Sequence, residues 1–293
     1  YAPSATVHAW LAEQSDAVGE ATLLVADPVF SEATLLAQLD AAAVDGGTSE
    51  EPFPEDDTHL VRAISGSRSA LESLPRLDGT LEEVRSLSQL LPRSTKLTGV
   101  DASEQRLRGL AESGELGEFG VIHIATHALI DDQDPGRSAL VLSQVDLPDP
   151  IESAVAGERI IDGIITAREV LSEWSLAADL VTLSACETGL GKALKGEGYV
   201  GLAQAFLKAG ARSVLVSLWK VEDRATSMLM RRFYENWMGL TGMAHGDPEK
   251  GMSKAEALHE AKRWLRECTD ESGRHPYAHP FYWSGFVLIG AED

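Results

Sequence analysis

The chain has 293 residues, and its 25 Lys and Arg against 46 Asp and Glu give a formal net charge of −21. Such an acidic surface repels nucleic acid and anionic lipid and favours basic partners. No run of about 18 apolar residues predicts a membrane span, so binding to nucleic acid or to a membrane is not expected. With two cysteines, Cys186 and Cys268, a disulfide framework is excluded and a reducing cytoplasm is the expected compartment. Because the chain opens with Tyr1 rather than Met, we expect it to be excised from a longer protein.

In chain order, the sequence predicts an alternation of strands and helices. Strands are expected where apolar runs are short and continuous, and helices where apolar residues recur at the helical period. The acidic, Gly- and Pro-rich stretch 46–58 and residues 144–163 are predicted to be loops. Thr80 followed by Glu83 fits a capping box at the start of a helix. The predicted strands are 21–27, 95–100, 121–127, 138–143, 180–186, 212–218 and 281–289, and the predicted helices are 31–45, 80–91, 102–113, 167–175, 196–209, 223–239 and 253–268.

Two of the predicted strands each end in a reactive residue. Apolar strands that alternate with helices are typical of an α/β fold in which a mostly parallel central sheet carries helices on both faces. Reactive groups in such folds gather at the carboxyl ends of the strands, and His127 and Cys186 both lie at such an end. A thiol beside an imidazole provides a nucleophile with its general base, and backbone N–H groups after the nucleophile can form an oxyanion hole.

Other candidate groups fit structural roles better. His123 shares a strand face with His127, but the glutamate of a helical zinc motif is missing, so we predict no metal and a core position for His123. Cys268 falls in an amphipathic helical pattern, where a packing role is expected. Residues 189–193 resemble the end of a phosphate-binding loop, but that motif needs glycine at position 186 and a hydroxyl at position 193. We therefore predict no cofactor.

Several motifs, in order, resemble the CHAT family of caspase-like proteins. HIATHA at 123–128 and LSACETG at 183–189 carry the candidate dyad. AFLKAGA at 205–211, SLWKVED at 217–223 and HPFYWSGF at 279–286 resemble the family's following helix, next strand end and closing strand. The YAPS segment at 1–4 resembles the usual entry to the domain, so the likeness covers nearly the whole chain.

The resemblance implies a caspase-like sandwich and a cysteine peptidase of clan CD. It implies a single domain over 1–293, with a pseudo-caspase-like part over 1–115 and a catalytic part over 116–293. His127 would be the general base, Cys186 the nucleophile, and the backbone N–H groups of Cys186 and Ala128 the oxyanion hole. Many relatives have glycine after the histidine, and Ala128 supplies the same N–H. Family members often follow tetratricopeptide repeats, so an upstream repeat or other regulatory domain is an expected partner.

Substrate specificity is expected to depend on residues near the nucleophile. SLWKVED is distantly similar to a segment of separase in which an acidic residue recognises a P1 arginine, which points to Asp223. The same aspartate could instead cap the helix predicted near Arg224. Ser184 stands where similar metacaspases have an aspartate, which removes one source of basic specificity. The edge from Ser217 to Trp219 is expected to pair with an extended substrate.

These features predict a cytoplasmic cysteine endopeptidase that cleaves a protein partner after a basic residue. Two other functions stay open: a catalytically idle interaction module on the caspase scaffold, and a Cys–His amidase acting on a small substrate. The presence of both His127 and Cys186 argues against the idle module. The segments SLWKVED and FYWSGFVLIG argue against an unrelated fold for an amidase.

Overall fold

The computed structural model describes residues 18–33, 35–36, 71–91, 93–131, 133–184, 186–187, 197–240 and 251–291. The strands in these residues are β1 (Ala21–Pro28), β2 (Ser94–Gly99), β3 (Phe119–Ala125), β4 (His127–Leu129), β5 (Ala139–Val141), β6 (Ile164–Thr166), β7 (Leu180–Leu183), β8 (Cys186–Glu187), β9 (Ser213–Ser217) and β10 (Phe286–Gly290). The helices are α1 (Asp78–Leu90), α2 (Glu104–Glu112), α3 (Pro150–Ala156), α4 (Ala167–Glu173), α5 (Glu197–Ala209), α6 (Asp223–Trp237) and α7 (Lys254–Glu267).

The longer strands form one mixed sheet in the order β10-β9-β7-β3-β1-β2. All neighbouring strands in it run parallel except β10, which is antiparallel to β9. The strands β3, β7 and β9 are buried along their whole length. Continuous apolar strands are expected for a parallel sheet that is covered on both faces, and the predicted α/β class is confirmed.

A separate apolar core covers each face of this sheet. Along β1, Leu23 and Val25 face one core, and Leu24 and Ala26 face the other, because successive side chains on a strand point to opposite faces. The first core is completed by residues of α2, α4 and α5. The second core is completed by residues of α1, α6 and α7. This layered arrangement is consistent with a caspase-like sandwich.

A second, smaller sheet has the order β6-β5-β4-β8 and continues two strands of the main sheet. The chain passes from β3 to β4 through Thr126, whose hydroxyl donates to the carbonyl oxygen of Val141 in β5. Likewise, β7 ends at Leu183 and β8 begins at Cys186. Both strands therefore leave the main sheet at its carboxyl edge and enter the second sheet together.

A buried ion cluster fixes the connection between α3 and β6. The guanidinium of Arg108, 6% exposed, lies 2.6 Å from Glu104, 2.6 Å from Glu169 and 2.7 Å from Glu173. The second carboxylate oxygen of Glu104 accepts the backbone N–H of Gly163 at 2.7 Å. Burial raises the pKa of Glu104, and Arg108 opposes that rise. The cluster thus ties α2 and α4 to the chain that enters the second sheet.

Several predicted boundaries change in the structure. The capping box predicted at Thr80 is wrong: α1 begins at Asp78, and the Thr80 hydroxyl donates to Leu77 O at 2.7 Å and accepts the Asp27 N–H at 3.0 Å. Glu83 turns instead towards partners in the sheet, because buried tertiary contacts outweigh a local cap.

Residues 150–156, predicted as loop, form α3, with Asp149 as N-cap and Pro150 in the first turn.

Further differences lie towards the two ends of the chain. The predicted strand 281–289 starts later: residues 280–282 form a 3₁₀ turn, and β10 begins at Phe286. Cys268 lies just past the end of α7 rather than inside it. The loop predicted over 46–58 and most of the helix predicted over 31–45 lie outside the described residues. In the part of the chain that is described, no helix is both long and apolar enough to cross a bilayer.

Candidate active site

The strands that carry His127 and Cys186 are neighbours in both sheets. In the main sheet β3 and β7 are parallel, and Ile124 pairs with Leu183. Their continuations β4 and β8 are also parallel, and His127 is the register partner of Cys186. Register partners on adjacent strands are separated by about 5 Å. The backbone therefore brings the two residues together beyond the carboxyl edge of the main sheet, although the Cys186 side chain lies outside the described part of the structure.

One ring nitrogen of His127 is held by the backbone. Its Nε2 lies 2.8 Å from the carbonyl oxygen of Pro75. Because a carbonyl oxygen can only accept, Nε2 carries the proton, and Nδ1 of the neutral ring is an acceptor. Among the described residues Nδ1 has no hydrogen-bond partner. The Phe30 ring packs on the imidazole with 5.1 Å between ring centroids. This tautomer leaves a basic nitrogen available to an acidic proton nearby.

The surroundings of His127 favour its neutral form. The side chain is 2% exposed. Burial lowers the pKa of His127 to about 4; the hydrogen bond to Pro75 opposes this effect, and the positive charge of Lys220 adds to it. A group with this pKa is unprotonated throughout the neutral range.

Ala128, the predicted oxyanion residue, lies inside a strand with neighbours on both sides. It pairs with Leu140 in β5 and with Glu187 in β8. Its side chain is buried at 1% exposure. An oxyanion role for the Ala128 N–H therefore requires that this N–H point at the substrate rather than at a neighbouring strand.

Asp223 lies against the first turn of α1. A Cβ placed on Gly79 would come within 2.3 Å of the Asp223 Cβ and 2.6 Å of its Oδ2. Gly79 follows Pro75, which holds His127, by four residues. The helix α6 begins at Asp223, with Glu222 in the N-cap position and no side-chain capping hydrogen bond there. Asp223 is thus the first helical residue rather than the cap, and it packs on the segment that contacts the candidate base.

Ser184 belongs to a buried polar network beneath the strand ends. Its hydroxyl donates to Glu83 Oε2 at 3.4 Å. Glu83 Oε1 lies 3.0 Å from His123 Nε2, an ion-pair distance without the geometry of a hydrogen bond. The other His123 nitrogen lies 3.3 Å from the Tyr234 hydroxyl, which lies 2.8 Å from Thr182 Oγ1. Burial raises the pKa of Tyr234. Ser184 and His123 therefore both lie in the core.

The strand edge expected at Ser217–Trp219 is occupied up to Leu218. Ser217 ends β9, which lies between β7 and β10, and the Leu218 N–H donates to Gly285 O at 2.9 Å. The Trp219 indole N–H donates to Phe281 O at 2.9 Å, and the two rings stack with 6.5 Å between centroids. The prediction of a free edge here is wrong, because β10 pairs with β9. A substrate strand would have to pair beyond Leu218.

Sequence reasoning missed the residues that hold the imidazole. Pro75 acts through its carbonyl oxygen, a group that every residue carries, so no pattern marks it. Phe30 follows β1 by two residues and reaches His127 only in the folded chain. Asp27 offered a signal: it is an acidic residue that ends a continuous apolar strand, a placement typical of functional sites in α/β sheets.

A metal centre would need several His, Cys, Asp or Glu side chains close together. Among the described residues, no three His, Cys, Asp or Glu side chains are grouped so that they could hold a metal ion. His123 and His127 contact different groups, Glu83 and Tyr234 for the first and Pro75 for the second.

Comparison with known proteins gives a family and two relatives. The model of the CHAT domain matches residues 1–291. The chain is similar to tetratricopeptide repeat protein 28 of Homo sapiens, at 29% identity over 231 residues, which cover 72% of this chain and 8% of that protein. It is similar to tetratricopeptide repeat protein 28 of Mus musculus at 31% identity over 129 residues, covering 44% of this chain and 4% of that protein. The chain thus spans less than a tenth of the length of these relatives.

Proposed function

This chain belongs to the CHAT domain family, and we propose that it is a cysteine endopeptidase in which His127 and Cys186 form the catalytic dyad. The observation that carries the proposal is the register pairing of these two residues on β4 and β8. The tautomer of His127 supports it, because Nδ1 is the unprotonated nitrogen and has no partner among the described residues. The relationship to caspase-like proteases supports the fold, and the proposed dyad supplies the nucleophile and the base.

The proposed reaction follows from these groups. Nδ1 of His127 takes the proton of the Cys186 thiol, and the thiolate attacks the carbonyl carbon of the scissile peptide bond. The backbone N–H groups of Cys186 and Ala128 stabilise the negative charge on the carbonyl oxygen. The imidazolium then protonates the leaving amine, and water hydrolyses the resulting thioester with His127 again as base. The pKa of about 4 means that His127 is unprotonated at neutral pH.

The proposed substrate is an extended segment of a protein partner with Arg or Lys at P1. Asp223 supports this choice, because it packs on the α1 turn that follows the Pro75 contact. Trp219, which lies beyond the part of the strand paired with β10, is kept as a substrate-side residue of the proposal. The net charge of −21 favours the approach of basic segments. The two relatives are named for tetratricopeptide repeats, which supports a repeat-linked context. The cytoplasm is the proposed compartment.

The proposal is tested by covalent labelling with a peptide that carries a P1 arginine chloromethylketone. We expect one label on Cys186, found by mass spectrometry of the digested protein, and none on Cys186→Ala. Cys268→Ala is the matched control, because it removes the other thiol, which is half-buried just past the end of α7, and should label like the wild type. Labelling of Cys268 alone contradicts the dyad.

A second measurement separates the alternatives. Peptide libraries and small primary amides should be incubated with the wild type and with Cys186→Ala under the same conditions. Cleavage of peptides by the wild type alone supports the endopeptidase. Hydrolysis of small amides alone supports the amidase, and binding of a protein partner without any turnover supports the idle module.

A further inference from the structure

An ion pair outside the dyad connects β1 to the segment before α1. Arg76 Nε donates to Asp27 Oδ1 at 3.1 Å, and Arg76 Nη2 donates to Asp27 Oδ2 at 3.0 Å. The carboxylate is 3% exposed and the guanidinium side chain 31% exposed. A bidentate pair of this kind fixes direction as well as distance, because the guanidinium is a rigid planar fork.

The backbone at Asp27 is shaped to present this carboxylate. Asp27 has φ of +50°, in the left-handed region, where Asp is tolerated better than most residues. The pairing of β1 with β2 shifts register between Ala26 and Pro28, so Asp27 is the extra residue of a bulge. Its N–H leaves the ladder and donates to Thr80 Oγ1 at 3.0 Å. Bulges next to active sites commonly redirect a side chain.

Asp27 therefore holds, at two points, the short segment that directly follows the histidine's acceptor. At one end its carboxylate holds Arg76, and at the other its N–H holds Thr80. Pro75 precedes Arg76, and its carbonyl oxygen is the atom that His127 Nε2 contacts at 2.8 Å. The direction of a backbone carbonyl is set by the conformation of the residues on either side of it.

We propose that Asp27 and Arg76 are positioning residues that aim the Pro75 carbonyl at His127 and thereby select the tautomer with Nδ1 free. The catalytic meaning of this inference rests on the proposed function, since only a dyad needs Nδ1 as base. The positioning itself does not, because the tautomer is a property of the folded protein. In this proposal Asp27 and Arg76 act on the imidazole through Pro75.

The expected consequence is specific to the imidazole. When the ion pair is broken, the Pro75 carbonyl turns away and Nε2–H loses its acceptor. The neutral ring then populates both tautomers, and in one of them Nδ1 carries the proton and cannot serve as base. A loss of orientation of this kind lowers kcat while KM stays near its original value.

The test uses Asp27→Asn and Arg76→Gln in the full chain. Asparagine keeps the shape of the aspartate and tolerates a positive φ, so the bulge is retained. The ¹⁵N shifts of the His127 ring at pH 7 should show one tautomer in the wild type and a mixture in both variants. With a peptide substrate, kcat should fall by roughly tenfold to a hundredfold. The double variant should be no worse than either single variant, because both changes remove the same contact.

A matched control is Arg232→Gln. Arg232 and Glu260 form a second bidentate pair, with distances of 3.0 Å and 3.0 Å, between α6 and α7. Its loss should lower the melting temperature and leave the His127 tautomer and kcat as in the wild type. A single Nε2–H tautomer in both Asp27→Asn and Arg76→Gln overturns the proposal, as does a mixed tautomer in Arg232→Gln. If Asp27→Asn does not fold, Arg76→Gln decides, because its side chain is partly exposed.

The two proposals can fail separately. If the wild type cleaves no peptide but the variants mix the tautomers, the positioning holds and the endopeptidase does not. If the wild type cleaves peptides and the variants keep one tautomer and full kcat, the endopeptidase holds and the positioning does not.

Discussion

The carboxylate of Asp223 fills the space that Gly79 leaves open on the first turn of α1. A methyl group on Gly79 would stand 2.3 Å from the Asp223 Cβ, closer than two carbon atoms can approach without movement. The position of the proposed P1-binding carboxylate is therefore set by the lack of a side chain on the opposite helix. A substitution at Gly79 can therefore displace the Asp223 side chain without changing its charge.

Gly79→Ala is expected to displace Asp223 and to reduce the preference for basic substrates. The ratio of kcat/KM for an Arg substrate to that for a matched Leu substrate should fall by roughly tenfold, the effect of a weakened charged contact. Gly109→Ala is the control, because a Cβ there meets nothing within 4 Å. It should keep the ratio and raise the free energy of unfolding by about 1 kcal/mol, as expected for Gly to Ala within a helix. An unchanged ratio in Gly79→Ala would contradict a role of Asp223 in the preference for basic substrates.

Asp223→Asn removes the charge and keeps the shape of the side chain. Cleavage after Arg and Lys should fall by roughly tenfold to a hundredfold, since a hydrogen bond between charged groups contributes about 1.5–3 kcal/mol. Cleavage after Leu or Met should change little. Glu222→Gln is the matched control, because it removes one negative charge from the neighbouring exposed residue. Equal losses with all substrates would reduce Asp223 to a structural role.

The free energy of unfolding should depend on pH through His127. The pKa of His127 is about 4 in the folded chain against 6.5 for the free group, so the unfolded chain binds the proton first as the pH falls. Above pH 6.5 the ring is neutral in both states, so this group does not change the free energy of unfolding. Between pH 6.5 and about 4 the free energy of unfolding falls as the pH falls. Over that window the loss attributable to this group is about 3 kcal/mol.

Urea unfolding at pH 7.5 and at pH 4.5 measures this effect in the wild type and in His127→Gln. The wild type should lose more stability on acidification than the variant does, because glutamine cannot take up a proton. Other groups titrate in both proteins and cancel in the comparison. Equal acid sensitivity of the two proteins contradicts the lowered pKa of His127.

Arg108→Met tests the ion cluster between α2 and α4. Removing the guanidinium leaves Glu104 buried without this cationic partner, at an expected loss of roughly 3–5 kcal/mol. The pKa of Glu104 is already raised by burial, and it rises further without Arg108, so the loss should shrink at acidic pH as the carboxyl protonates. Arg159→Met is the control: its side chain is 47% exposed, and a loss of about 0–1 kcal/mol is expected. Urea unfolding of both variants gives the comparison.

The sequence predicted most of the sheet and its helices because these elements bury regular apolar patterns. His127 and Cys186 were predicted to act together at the carboxyl ends of their strands. Their register pairing in the second sheet agrees with that expectation. The helix ends were less predictable. Thr80 and Glu83 fit a capping box by spacing, but their side chains bond to Leu77 and towards the sheet instead, which local spacing does not encode.

The support of the site could not be predicted from the sequence. Pro75 contributes a carbonyl oxygen, and its contact with His127 joins residues 52 positions apart. Asp27 and Arg76 are 49 positions apart, and nothing in their local sequences marks them as a pair. The helix α3 was missed for another reason: Asp149 and Pro150 are common in turns as well as at helix starts, and the short helix exposes most of its apolar side chains.

The joint passage of two strands from the main sheet into the second sheet has a consequence for cooperativity. The pairing of His127 with Cys186 in the second sheet follows directly on the pairing of Ile124 with Leu183 in the main sheet. Hydrogen exchange at His127 and Ile124 should therefore be lost in one opening event rather than in two. A change in a surface loop should therefore leave the pairing of His127 with Cys186 intact, whereas a change that disturbs the pairing of β3 with β7 should alter it.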